Sequence, residues 1–236
     1  MSIFFASSSS VAIPIAKALI KTNSVTGFIS NSDKTSGRNR EVKKNGFSSW
    51  DEQTNLKVYK PIDDSELAAI VKGSDLIITC SYGKLIKEEL LNLPKYGWLN
   101  IHFSILPAYR GAAPVQRAII NGDLKTGYSI FKMDKGLDTG AVLFQDELVF
   151  DNNESCSKVL EILSNVAALK IIDLLTDTNN WRFQEQTDSG ATLAPKILKE
   201  ERKLNIRESA LSLVNKVRAL DINGGSFLTF RGENLN

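Results

Sequence analysis

Histidine is almost absent from this chain: His102 is the only one in 236 residues. A zinc site built from several histidines is thereby excluded. Only two cysteines occur, Cys80 and Cys156. They are far apart and lack the paired spacing of a metal-binding or redox motif, so they read as core residues in a reducing compartment. No run approaches the roughly 18 apolar residues of a membrane span. The opening Met-Ser-Ile-Phe-Phe-Ala has neither a basic flank nor a signal-length apolar segment, so a cytoplasmic, soluble protein without metal is expected. Charge of neither sign dominates, with 29 Lys and Arg against 27 Asp and Glu. Its distribution therefore matters more than its sum.

What is present alternates between strand and helix patterns. Ile3 to Ala6 reads as a buried strand and Val11 to Ile20 as a helix, with Pro14 tolerated in its first turn. Between them, Ser7-Ser8-Ser9-Ser10 reads as a polar turn, because the glycines of a phosphate-binding loop are missing. Strands are expected at Val25 to Ile29, Lys57 to Lys60, Leu76 to Cys80, Trp98 to His102, Tyr128 to Met133 and Ala141 to Phe150. Helices are expected at Leu67 to Val71, around Lys87 to Leu91, and at Val115 to Ile120 behind Pro114. The apolar stripe Val159, Ile162, Leu163, Val166, Leu169, Ile172 and Leu175 marks a longer helix, and Ser209 to Leu220 another. This order implies an α/β fold with an open, largely parallel, doubly wound sheet, whose ligands bind beyond the carboxyl ends of the strands.

Two segments carry excess positive charge. Asn31 to Trp50 holds Lys34, Arg38, Arg40, Lys43 and Lys44 against Asp33 and Glu41. It has little periodicity and reads as a long, mobile loop, either a solvated surface or a basic arm for a phosphate backbone. Between Lys196 and Arg218, Lys199, Arg202, Lys203, Arg207 and Lys216 join those two against Glu200, Glu201 and Glu208. Only one strand, Ser226 to Phe230, is expected after Asn223-Gly224-Gly225.

The candidate chemistry lies at the end of the Trp98 strand. Asn100 and His102 are two residues apart and so share one side of it, each able to donate a hydrogen bond. Asp138 sits on the glycine-framed turn Gly136-Leu-Asp-Thr-Gly140. A pair of donors and a nearby carboxylate suit acyl transfer, in which the donors stabilise a developing oxyanion. Two alternatives stay open on the residues alone: a structural His102, and a nucleophilic triad of Ser104, His102 and Asp138.

The run Leu99-Asn-Ile-His-Phe-Ser-Ile-Leu-Pro-Ala-Tyr-Arg-Gly-Ala-Ala-Pro-Val-Gln-Arg-Ala-Ile120 is followed by Gly122-Asp123, Thr126-Gly127, Met133-Asp134 and Gly136 to Gly140. Together they resemble the signature of the methionyl-tRNA formyltransferases, part of a wider group that uses 10-formyltetrahydrofolate. The resemblance extends over nearly the whole chain, through Phe5-Ala6, Pro14, the basic loop, Tyr82-Gly83, Lys196-Ile197 and the Arg218-Ala219 helix. It implies Asn100, His102 and Asp138 as the catalytic set, with Tyr82, Gly83, Leu85, Ile86, Gly136 and Leu137 lining a folate pocket. It also implies Arg38, Arg40, Lys43 and Lys44 as contacts to initiator methionyl-tRNA, and translation initiation as the process served.

Two departures from that family pattern shape the expectations. Ser7 to Val11 replaces a Gly-Thr-Pro-Glu/Asp-Phe type turn, which predicts a reshaped acceptor pocket. The family's C-terminal β-barrel needs about five strands, so the chain is expected to divide into a catalytic domain at 1–183, a linker at 184–203 and a truncated second domain at 204–236. Weakened tRNA binding follows from that expectation. A monomer is expected, without membrane attachment. The same chemistry directed at an amino sugar nucleotide, or a non-catalytic folate- or RNA-binding remnant, are the alternative functions.

Overall fold

The computed structural model describes residues 1–36, 41–51, 54–222 and 224–235. In chain order its elements begin with β1 (Ile3–Ala6), α1 (Ile13–Ile20), β2 (Val25–Ile29), β3 (Lys34–Ser36), β4 (Glu41–Lys43) and α2 (Ser48–Asp51). There follow β5 (Val58–Tyr59), α3 (Asp64–Val71), β6 (Leu76–Thr79), α4 (Glu88–Leu91), β7 (Trp98–His102) and α5 (Pro114–Asn121). The remainder are β8 (Lys125–Lys132), β9 (Val142–Val149), α6 (Cys156–Thr176), α7 (Ala210–Ala219), β10 (Leu228–Phe230) and β11 (Glu233–Leu235).

Contacts divide the chain into two compact units that interleave along it. The first comprises Met1–His102, Ile130–Phe144 and Ser164–Gln186; the second comprises Phe103–Ser129, Gln145–Leu163 and Thr187–Asn236.

A seven-stranded sheet in the order β5-β2-β1-β6-β7-β8-β9 organises the first unit, and its last two strands continue along the chain into the second. β1 pairs in parallel with both β2 and β6, β2 pairs in parallel with β5, and β6 pairs in parallel with β7. This is an open, largely parallel, doubly wound α/β sheet. The all-apolar β1, buried at every position, explains why the first strand takes an interior place. The strand order reverses between β1 and β6, so the turns leaving their carboxyl ends meet at the crevice where such sheets bind ligands. There Ser8 N donates to Ser81 O at 3.2 Å.

Local signals account for the helix ends. Asp63 caps α3 by accepting from Glu66 N at 2.9 Å. Pro14 lies in the first turn of α1, which begins at Ile13 because Ser10–Ala12 forms a preceding 3₁₀ turn capped by Ser9. In the second unit, Pro114 opens α5 and Gly122, at φ 83°, closes it in the left-handed conformation that glycine tolerates.

Among the described residues of 31–50, two short strands and a helix stand where a long loop was expected. β3 and β4 pair antiparallel with Lys34 opposite Lys43, and α2 follows. Phe47 and Trp50 are buried, Phe47 lying 5.4 Å from Phe28 and 5.8 Å from Phe5 between ring centroids. Burial of those rings fixes the end of the segment despite its polar composition. Asn45 completes it: its Oδ1 accepts from Phe47 N and Ser48 N while its Nδ2 donates to Asn31 O.

A second correction concerns the C-terminal segment, where one strand was expected and two are present among the described residues. β10 pairs antiparallel with β11 through Arg231-Gly232, whose φ angles of 49° and 85° are those of a tight hairpin turn. Arg-Gly is not a strong hairpin dipeptide, and Glu233 to Leu235 is too short to show alternation.

Candidate functional site

In β7 the alternation of faces works as the sequence requires: Leu99 and Ile101 point to one side, and Trp98, Asn100 and His102 to the other. Trp98 is fully buried and anchors the strand by donating from Nε1 to Leu90 O at 3.0 Å. Parallel pairing sets Thr79 of β6 beside Asn100. The Thr79 hydroxyl donates to Asn100 Oδ1 at 2.7 Å. This occupies the amide oxygen and leaves the two Nδ2 hydrogens as the side chain's donors.

His102, only 6% exposed, ends the strand. Its Nδ1 lies 3.7 Å from Asp138 Oδ2. That separation brings the two groups within ion-pair range but is longer than a hydrogen bond. Asn100 and His102 on one strand face, with Asp138 against His102, are therefore brought together in the first unit.

The turn carrying Asp138 is built to hold an awkward backbone. Asp138 itself adopts φ 53°, a conformation Asp tolerates better than most residues. Asp134 ties the interior of the turn, its Oδ1 accepting from Gly136 N at 2.9 Å and from Thr139 Oγ1 at 2.8 Å. A Cβ at Gly140 would lie 1.8 Å from Lys132 O, so only glycine permits this close return of the chain. From the segment after α6, Gln186 Nε2 donates to Asp138 O at 2.9 Å and Gly140 O at 2.7 Å.

Thr79 and Gln186 were both missed in reading the sequence. Thr79 could have been found as the polar end of an apolar strand neighbouring the Asn100 strand. Gln186 carries no local signal, lying in the polar stretch read as a linker.

The residues expected to line a folate pocket divide by burial. Tyr82 and Ile86 belong to a cluster with Phe4, Ala6, Ile29, Leu67 and Trp98, and burial pushes the Tyr82 phenol up to about 12. The Tyr82 carbonyl accepts from Asn31 Nδ2 at 2.6 Å. Leu85 is 81% exposed and Leu137 52% exposed, while Gly83 has φ 71° and open space where a Cβ would stand. Gly136 is exposed on the Asp138 turn. Of the residues expected to contact tRNA, Arg38 and Arg40 lie outside the described residues; Lys43 belongs to β4 and Lys44 is exposed.

Other chemistries find less support. Ser104, in the second unit, is buried and gives its hydroxyl hydrogen to Ala108 O at 2.6 Å, which engages the nucleophile that the triad alternative needs. Burial pushes the thiols of Cys80 and Cys156 up to about 12, away from thiolate chemistry. Among the described residues, no group of three or more His, Cys, Asp or Glu side chains could hold a metal ion. No helix among them is long and apolar enough to cross a membrane.

The arginines of the Arg110 to Arg117 run are engaged within the second unit. Arg110, 8% exposed, lies 3.3 Å from Asp188 Oδ1. Arg117 makes a two-pronged pair with Glu201 at 2.6 and 3.1 Å, which holds that carboxyl below its usual range. Around Arg110 the backbone bonds to residues 192–194, so closely that a Cβ at Gly111 would lie 2.7 Å from Ala194 O.

The model of the formyl transferase family matches residues 2–172. A methionyl-tRNA formyltransferase of Syntrophomonas wolfei is 35% identical over 98% of this chain and 76% of its own length. Among solved structures, the methionyl-tRNA formyltransferase of Clostridium thermocellum superposes with a TM-score of 0.69 at 20% identity, covering 98% of this chain and 88% of that one. An N-formyltransferase of Helicobacter canadensis, solved with folinic acid and dTDP-3-aminofucose, gives a TM-score of 0.75 at 17% identity over 98% of this chain and 85% of that one. At those identities the two structures speak to the fold alone. The sequence relatives and the family match go further: the chain belongs to the formyl transferase family of enzymes.

Proposed function

We propose that this chain transfers the formyl group of 10-formyltetrahydrofolate to the α-amine of methionyl initiator tRNA, in service of translation initiation. One observation carries the reading: Asn100 and His102 share a strand face, with Thr79 occupying the amide oxygen of Asn100 and Asp138 lying 3.7 Å from His102. The curated relative from Syntrophomonas wolfei, by its own name a methionyl-tRNA formyltransferase, supports this acceptor over an amino sugar.

Asn100 Nδ2 and the His102 ring donate to the formyl oxygen as negative charge develops there. The α-nitrogen forms its bond to the formyl carbon, and the bond from that carbon to the folate nitrogen breaks. Asp138, through water, takes the proton leaving the α-nitrogen, and an equivalent proton ends on the folate nitrogen. His102 stays beside the Asp138 carboxylate throughout. Leu85 and Leu137, both exposed and apolar, and the open Gly83 suit a flat pterin surface, with Tyr82, Ile86 and Gly136 shaping the turns that present them. Arg38, Arg40, Lys43 and Lys44 are assigned to the tRNA phosphates. The transfer chemistry is assigned to residues 1–183, within which the family match falls.

The test is label transfer from 10-formyltetrahydrofolate to methionyl initiator tRNA and, in parallel, to dTDP-3-aminofucose. Transfer to the tRNA alone is expected. Transfer to the sugar nucleotide alone overturns the acceptor, and transfer to neither overturns the function.

A further inference from the structure

We propose that Gln186 is a positioning residue for formyl transfer, acting as the clamp that holds Asp138 against His102; this rests on the assignment of Asp138 to the chemistry. Gln186 lies 48 residues beyond Asp138 in sequence and outside the residues matched by the family model. Its single amide nitrogen donates both hydrogens, one to Asp138 O at 2.9 Å and one to Gly140 O at 2.7 Å. Those carbonyls belong to the 138–139 and 140–141 peptide units, so one side chain ties two peptide units at the end of the turn.

The placement of Gln186 is itself secured. Two residues earlier, Gln184 exchanges both backbone hydrogen bonds with Val142, each at 2.8 Å. Val142 begins β9, immediately after the turn, so the segment bearing Gln186 is registered on the same strand whose entry it braces. Asp134 accepts from Gly136 and Thr139 and, as a carboxylate, has no donor to offer the Asp138 or Gly140 carbonyl. The part of the turn that sets the Asp138 backbone, at φ 53°, is therefore braced by Gln186. A carboxylate already 3.7 Å from Nδ1 of His102 leaves little margin: displacement by about 1 Å of a group at a reacting centre can cost on the order of 100-fold in rate.

Two replacements separate this role from general support of the fold. Gln186→Met keeps the length and removes both donors. Gln186→Glu sets a carboxylate against two carbonyl oxygens when ionised but regains one O–H donor when protonated. Both variants are expected to lower kcat by about 10-fold or more. The kcat of Gln186→Glu relative to the parent should then recover between about pH 8 and about pH 6, while the ratio for Gln186→Met stays flat. Independently of activity, hydrogen exchange in the 134–140 turn should quicken by about 10-fold in Gln186→Met.

Asp138→Asn, run alongside, distinguishes the two levels of the account. Unchanged exchange and kcat in both Gln186 variants, with Asp138→Asn inactive, overturn the clamp and leave the catalytic assignment standing. Full activity in Asp138→Asn overturns the catalytic assignment, and the positioning role with it.

Discussion

The Thr79 hydroxyl donates to Oδ1 of Asn100 across 2.7 Å, from the residue directly beside it in the parallel β6–β7 pair. An amide has two faces of opposite hydrogen-bonding sense, and this bond selects the one that leaves N–H donors for the substrate. Thr79→Val keeps the shape of the side chain and removes the hydroxyl. A typical net hydrogen bond of about 1 kcal/mol corresponds to a rate loss of about fivefold. We expect kcat to fall by about that factor, with a stability loss of about 1 kcal/mol from the same lost bond, and Thr79→Ser to retain the parent rate. Equal kcat in Thr79→Val and the parent counts against the orienting role.

Removing a donor itself should cost more than misorienting it. Asn100→Ala and His102→Asn are each expected to lower kcat by about 10² to 10³. Folate affinity, followed by quenching of intrinsic fluorescence, should change little, because these donors act on charge that appears during transfer. A matching collapse in folate binding indicates a binding role instead.

Gly140 predicts a coupled defect. An added methyl would meet Lys132 O at 1.8 Å, so Gly140→Ala must displace the backbone of the Asp138 turn. We expect a stability loss of about 2 kcal/mol, typical of overpacking, together with reduced kcat. Thermal melts and rates on the same preparation check both; a normal Tm with normal kcat removes the claim that the turn is tightly set.

Arg117 and Glu201 predict a pH dependence of stability. Hydrogen bonding to Arg117 lowers the Glu201 carboxyl from its reference value of 4.5, so the folded state prefers the ionised form. The contribution is present above the unfolded value and disappears as pH falls through the lower folded one. Because the side chain is 37% exposed, the pair is worth under about 1 kcal/mol. Glu201→Gln should therefore be slightly less stable than the parent at neutral pH, and the gap should close below the folded value. A gap that widens on acidification contradicts the pairing.

How much was legible in the sequence follows from where the determinants lie. β2 and β7 begin and end where their apolar, β-favouring runs do, and α5 begins at Pro114. Asn100 and His102 were readable because strand alternation is local. The hydrogen-bond partners were not: Thr79 reaches Asn100 through strand pairing, and Gln186 reaches the Asp138 turn from 48 residues away. Polar composition hid β3 and β4, since pairing of backbones needs no apolar side chain, and the burial of Phe47 and Trp50 depends on Phe5 and Phe28 across the fold.

The most direct measurement is single-turnover transfer of labelled formyl from 10-formyltetrahydrofolate to methionyl initiator tRNA, comparing the parent with His102→Asn. The account predicts transfer by the parent and a rate about 10² to 10³ lower in the variant. Equal rates in the two would contradict it.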